Sequence, residues 1–90
     1  MDTQNLKAFV AVADCRSFSL AADRLHITQP AISKRIHMLE QQVDSQLFDR
    51  IGRHISLTEA GRTLRPHAEA ILREMQAARQ AIAELGGEVK

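Results

Sequence analysis

The stretch from Ser17 to Glu40, SFSLAADRLHITQPAISKRIHMLE, constrains this chain more than any other, because it reads as two short helices joined by a tight turn. Ser19 is the expected cap of the first helix, and Ala21 with Ala22 keep that helix thin enough for another to cross close by. Leu25 and Ile27 straddle the turn and point inward. Thr28 is the expected second cap, and Pro30 falls in a first turn, where its missing N–H costs little. Ile32, Ile36, Leu39 and Val43 follow at helical spacing and define one apolar face. The opposite face carries Gln29, Ser33, Lys34 and His37. This is the layout of a helix-turn-helix, whose second helix can enter the major groove of DNA.

A chain of 90 residues forms one small domain with little apolar surface to spare. Three Phe with no Tyr or Trp argue against RNA readers that stack bases on exposed rings. The net charge of +1 is modest for a nucleic-acid binder, so its distribution carries the argument. Arg24, Lys34 and Arg35 lie in a segment, Arg24 to Met38, that contains no acid. A local basic face on a nearly neutral chain suits DNA binding governed by fit and dimerisation, although a solvated surface would look the same. Cys15 is the single cysteine, so no internal disulfide and no Cys-rich zinc site can form. Its expected role is a small helix-end residue in a reducing compartment. With no charged-then-apolar leader and no long apolar run, the expectation is a soluble, cytoplasmic protein.

Upstream of the helix pair, Thr3 to Ala13 reads as an amphipathic helix capped by Thr3, with Leu6, Phe9, Val10 and Ala13 on one face. Asp14 to Ser17 is a break, and Phe18 is a core plug. His26 sits in the turn, where it tolerates positive φ better than a β-branched residue. Downstream, Asp44 and Ser45 suggest a helix exit, and Leu47 and Phe48 return to the core. DRIGRHISL then reads as a hairpin turning at Gly52, with Arg50, Arg53 and His54 at its tip. Such a hairpin beside a recognition helix is a wing, able to follow phosphates and push an arginine into the minor groove.

From Thr58 onward the pattern is one long helix, capped by Thr58 with Glu59 at the positive end of its dipole. Pro66 removes one backbone hydrogen bond, so a bend is expected near Arg62 to Pro66. Leu64, Ala68, Ile71, Met75, Ala78, Ile82 and Leu85 alternate at steps of four and three, a heptad seam that only another helix can bury. A projecting arm of roughly 40 Å follows from about 1.5 Å of rise per residue. The economical partner is a second copy, with Arg73 and Arg79 placed to pair against Glu69, Glu74 and Glu84. Gly86 and Gly87 are expected to end the helix.

The chain resembles the N-terminal DNA-binding domain of LysR-type transcriptional regulators over nearly its whole length. The match is carried by SFSLAADRLHITQPAISKRIHMLE, then LFDR, the spacing to Arg53, and SLTEAG at Ser56 to Gly61. The resemblance implies a winged helix-turn-helix joined to a long linker helix that dimerises with its mate. It implies base contacts from Gln29, Pro30, Ser33 and Lys34, Thr28 near a phosphate, and Arg53 in the minor groove. Its implied partners are double-stranded DNA with a partly palindromic operator, a second copy, a tetramer in the full-length protein, and RNA polymerase. An effector domain would follow the linker helix. The sequence departs from the pattern at Arg16 and Asp44, where many members carry glycine, and at Lys34, where arginine is common. Arg16 either stiffens the turn before Phe18 or adds a phosphate contact, and Asp44 suggests a different helix exit. Lys34 weakens a bidentate guanine reading.

These readings combine into a mainly α fold: a winged helix-turn-helix of three helices and a two-stranded wing over 1–57, a dimerisation helix over 58–85, and the start of a connector over 86–90. The expected function is sequence-specific DNA binding as a homodimer for transcriptional regulation. Gln29 is the candidate base reader, through bidentate pairing with adenine, and Ser33 adds a contact to base or phosphate. Lys34, Arg50 and Arg53 supply charge. Two alternatives remain open on sequence: a protein-interaction module, and a molybdate-responsive winged-helix regulator. No cofactor or metal is expected. His26, His37, His54 and His67 lie on different elements without ligand spacing, so no catalytic centre is expected either.

Overall fold

The computed structural model describes residues 1–89, and Lys90 lies outside them. The elements are α1 (Thr3–Cys15), α2 (Phe18–Leu25), α3 (Gln29–Val43), β1 (Phe48–Ile51), β2 (His54–Leu57) and α4 (Glu59–Val89).

Helix α1 is the hub. Leu6, Ala8, Phe9, Ala11, Val12 and Ala13 are all buried, which spreads well beyond the single face expected from Leu6, Phe9, Val10 and Ala13. The reason is that α2, α3 and α4 pack on different sides of α1, and its alanines let them approach. Its cap is Asp2, not Thr3: the Asp2 carboxylate accepts from the Gln4 N–H at 2.7 Å. The break before the next helix narrows to Arg16 and Ser17, with Arg16 left-handed at φ 53°.

Helix α2 starts earlier than expected. Ser17 is the cap, accepting from the Leu20 N–H at 3.1 Å, and Ser19 lies exposed inside the helix. Phe18 is therefore the first helical residue and buries its ring against Phe48, whose centroid is 6.0 Å away. The turn behaves as read: His26 adopts φ 57°, and Leu25 and Ile27 are half-buried against the core. Thr28 caps α3 by accepting from the Ala31 N–H at 3.2 Å, with Pro30 in the first turn. Ile32, Ile36 and Leu39 are buried, and Val43 packs at their edge. Asp44 ends the helix at φ 54°, the left-handed exit a glycine would take, so its side chain does not impose a different one.

The wing pairs Phe48 with Leu57, Asp49 with Ser56, Arg50 with Ile55 and Ile51 with His54, leaving Gly52 and Arg53 as a two-residue loop. Gly52 carries the positive φ, 60°, on the first loop residue, as a type II′ turn requires.

Helix α4 begins at a well-made joint. The Thr58 hydroxyl accepts from the Gly61 N–H at 3.0 Å and donates to the Gln46 carbonyl at 2.6 Å. Gly61 is buried in the first turn, where an added Cβ would collide with the Leu47 carbonyl and meet Leu57 Cδ2 at 2.8 Å. Arg65 reaches Asp14 near the end of α1, and the Thr3 hydroxyl lies 3.5 Å from Met75 Sδ near its start. The two helices therefore run antiparallel, side by side, over residues 65–75 of α4. Ala68 is wholly buried there, and Leu64 and Leu72 pack on the core.

Two expectations are corrected by this packing. The heptad seam divides: Leu64, Ala68 and Met75 turn toward the chain's own body, while Ile71, Ala78, Ile82 and Leu85 are exposed. The first turns of α4 belong to the folded core, so residue 57 does not separate two units. The projecting part begins beyond Met75 and is on the order of 20 Å at 1.5 Å per residue, half the expected reach. The helix also continues through Gly86 and Gly87 to Val89, so the expected connector is helical as far as it is described.

Candidate nucleic-acid interface

The first turn of α3 presents Gln29, Pro30 and Lys34 to solvent, with Ser33 half-buried beside them. The helix can show these residues because Ile32, Ile36 and Leu39 hold its other side against α1. The side chains of Gln29 and Lys34 make no hydrogen bond within the chain among the described residues, so their polar ends are free for a ligand. Thr28 is partly committed. Its oxygen caps Ala31 N–H, and its hydroxyl proton remains available to an external acceptor.

The wing stands next to this helix across a groove of about 540 Å³ lined by Phe18, Ser33, His37, Glu40, Asp49 and Arg50, among others. Arg50 is not at the hairpin tip, as the sequence suggested. It lies within β1 opposite Ile55, and its guanidinium carbon stacks 4.3 Å above the centre of the Phe18 ring. Such stacking contributes about 0.5–1 kcal/mol at an exposed site and fixes the direction of the charge. Phe18 is in turn held edge-on by Phe48, which also packs on Phe9 with centroids 5.4 Å apart. An aromatic chain from the core thus positions a cation on the groove wall. Sequence reasoning placed Phe18 in the core and missed its second role, because the pairing joins residues far apart in the chain.

Of the three residues expected at the tip, only Arg53 lies in the loop; His54 opens β2. Arg53 is exposed and forms no ion pair among the described residues. His37, which the sequence places on the polar face of the same helix, lines the groove with Ser33 and Arg50. The structure thus brings Ser33 and Arg50 to one groove, with Gln29 and Lys34 on the same helix and Arg53 at the end of the same hairpin. Glu40 also lines the groove, and its carboxylate accepts a hydrogen bond from the Leu47 N–H at 2.8 Å.

Among the described residues no group of three or more His, Cys, Asp or Glu is placed to hold a metal ion. No described helix is long and apolar enough to cross a membrane.

A recognition helix flanked by a two-stranded wing defines a winged helix-turn-helix protein. Residues 3–62 match the profile described as bacterial regulatory helix-turn-helix protein, lysR family, and the chain belongs to that family. It is 55% identical over 89 residues to an uncharacterized HTH-type transcriptional regulator in the ibpB-leuC intergenic region of Azotobacter vinelandii. That alignment covers 99% of this chain and 62% of the relative, so the chain spans less than two thirds of that protein's length. Its fold matches BenM_DBD in complex with benA site 1 DNA, with TM-score 0.90, 31% identity, and coverage of 98% of this chain and 99% of that one. It also matches Vibrio fischeri DarR in complex with DNA, with TM-score 0.89 and 33% identity over 97% of this chain and 30% of that one.

Proposed function

We propose that the chain binds double-stranded DNA sequence-specifically, as a symmetric homodimer, and that this binding regulates transcription. The observation that carries the reading is the joint arrangement of α3 and the wing. Unpaired Gln29 and Lys34 stand on an exposed helix face, and one groove separates that helix from a hairpin tipped by Arg53. Similarity to BenM_DBD and DarR, both in complexes with DNA, supports it.

In this reading the N-terminal half of α3 lies in the major groove. Gln29 pairs through its amide with an adenine edge, Ser33 adds a hydrogen bond to a base or phosphate, and Pro30 makes apolar contact. The Thr28 hydroxyl donates to a phosphate at the groove edge. Lys34 contributes charge without the forked geometry of an arginine, so it positions more than it specifies. The strand that runs from the major to the minor groove crosses the Ser33–His37–Arg50 groove, and Arg53 enters the minor groove. A second copy docks on Ile71, Ala78, Ile82 and Leu85, the part of the seam that α1 leaves uncovered. Two recognition helices held at one separation would read a partly palindromic operator. Assembly into a tetramer and contact with RNA polymerase are proposed for a longer protein that includes this domain. The relatives are regulators by name, so we assign no catalytic activity and place the protein in the cytoplasm with the chromosome.

Gln29→Ala tests the base-reading role. It should cost about 1–3 kcal/mol on the preferred duplex and little on a scrambled one, measured by fluorescence anisotropy. Equal losses on both duplexes would remove Gln29 as a base reader.

A further inference from the structure

The wing has a second groove, on the edge that faces away from α3. It lies between β2, the end of α1 and the start of α4, has a volume of about 390 Å³, and is open to solvent. Arg16, Arg53, His54, Arg62 and Arg65 ring an apolar floor that includes Val12, Phe48 and Ile55. Four guanidinium groups, from the turn after α1 (Arg16), the hairpin loop (Arg53) and α4 (Arg62 and Arg65), line a space not covered by the chain.

Two carboxylates stand near them, and both are used by one arginine. Arg65 bonds to Asp14 and, at 3.1 Å, to Glu69. Asp14 also meets Arg24 at 3.4 Å. Arg62 donates one N–H to the Leu57 carbonyl at 2.9 Å, which turns its guanidinium along β2 without neutralising it. Arg16, Arg53 and Arg62 have no carboxylate partner among the described residues. A cleft lined by one sign of charge over a low-dielectric floor focuses its field and draws an anion inward.

We infer that this groove is a second phosphate seat, which holds the DNA backbone on the β2 side of the wing and in which Arg16 is a positioning contact. The inference rests on the DNA-binding reading above and extends it. A minor groove is only about 6 Å wide, so an arginine seated in it is flanked by the phosphates of both strands. One of those strands lies toward α3 and Arg50. The other lies on the β2 edge, where the remaining two uncompensated arginines, Arg16 and Arg62, wait. The contact carries charge and no sequence information, so it adds affinity equally to any duplex.

Arg16 can be tested cleanly because its φ of 53° is one that glycine adopts freely, so Arg16→Gly keeps the turn. Binding to one duplex is followed across roughly 50–200 mM salt for the unsubstituted chain, Arg16→Gly and Arg16→Lys, with thermal melts to verify folding. The glycine variant should bind preferred and scrambled duplexes more weakly by the same factor. Its slope of log affinity against log salt should be shallower by about 0.9, and lysine should restore it. An unchanged slope in Arg16→Gly, when the unsubstituted chain binds DNA, overturns this inference and leaves the DNA-binding reading standing. If the unsubstituted chain binds no duplex, both fall. A melting temperature raised by inorganic phosphate at matched ionic strength, lost in Arg16→Gly while the DNA slope stays unchanged, would assign the groove to a free anion and equally overturn it.

Discussion

Gly61 lies in the first turn of a long helix, where glycine is a poorer helix former than alanine. Nothing in the local sequence explains that choice. Its cause is the Leu47 carbonyl, which the helix must approach so closely that no Cβ fits. Gly61→Ala should therefore destabilise the fold despite the gain in helix propensity, by about 1–3 kcal/mol as overpacking does. Chemical denaturation would show this as a lower midpoint, and a stabilised variant would mean that the joint relaxes freely. The positive-φ residues teach a related lesson. His26 was legible because its place between two helical patterns demands a turn. Arg16 and Asp44 were not, since their side chains suggest altered turns while the backbone keeps the left-handed caps at φ 53° and 54°. Each carries a strain of roughly 1 kcal/mol that the flanking helix packing absorbs. Ser17 and Ser19 show the limit of cap reading: both bracket Phe18, and only burial of that ring decides which one the helix uses.

The helix-turn-helix itself was readable because its apolar period and its turn chemistry agree. Ile32, Ile36 and Leu39 are buried at the spacing that the sequence shows, and Thr28 with Pro30 fixes where α3 begins. The wing was readable as a hairpin, because Gly52 supplies the turn conformation, but not in the allocation of its arginines. Arg50 and Arg53 are near neighbours in sequence and have different surroundings. One is stacked on Phe18, and the other stands free at the loop. They should therefore differ in kind. Arg53→Ala should leave thermal stability nearly unchanged and make the salt dependence of DNA affinity shallower by about one phosphate equivalent. If the slope holds and only stability changes, Arg53 is a structural residue and the tip lies off the DNA.

Across the whole molecule, the 54 Å long axis reflects an arm that leaves a compact body. A heptad pattern says that a stripe will be covered and is silent about the cover. Here the chain's own core takes Leu64, Ala68 and Met75, and the exposed remainder, Ile71, Ala78, Ile82 and Leu85, is left for the second copy proposed above. The sequence could not make this division, because it depends on α1 and α4 lying antiparallel, a relation between residues 51 and 72 positions apart. Symmetry then makes a demand on the DNA. Two copies joined along their arms present two recognition helices, which should lie about 34–36 Å apart or at a multiple of that spacing. Selection of bound duplexes from a random pool is the most direct measurement of this. The expected result is an enriched motif that repeats as an inverted pair, with half-site centres separated by whole turns of about 10–10.5 base pairs. Recovery of unenriched sequence, or of a single unrepeated element, would contradict it.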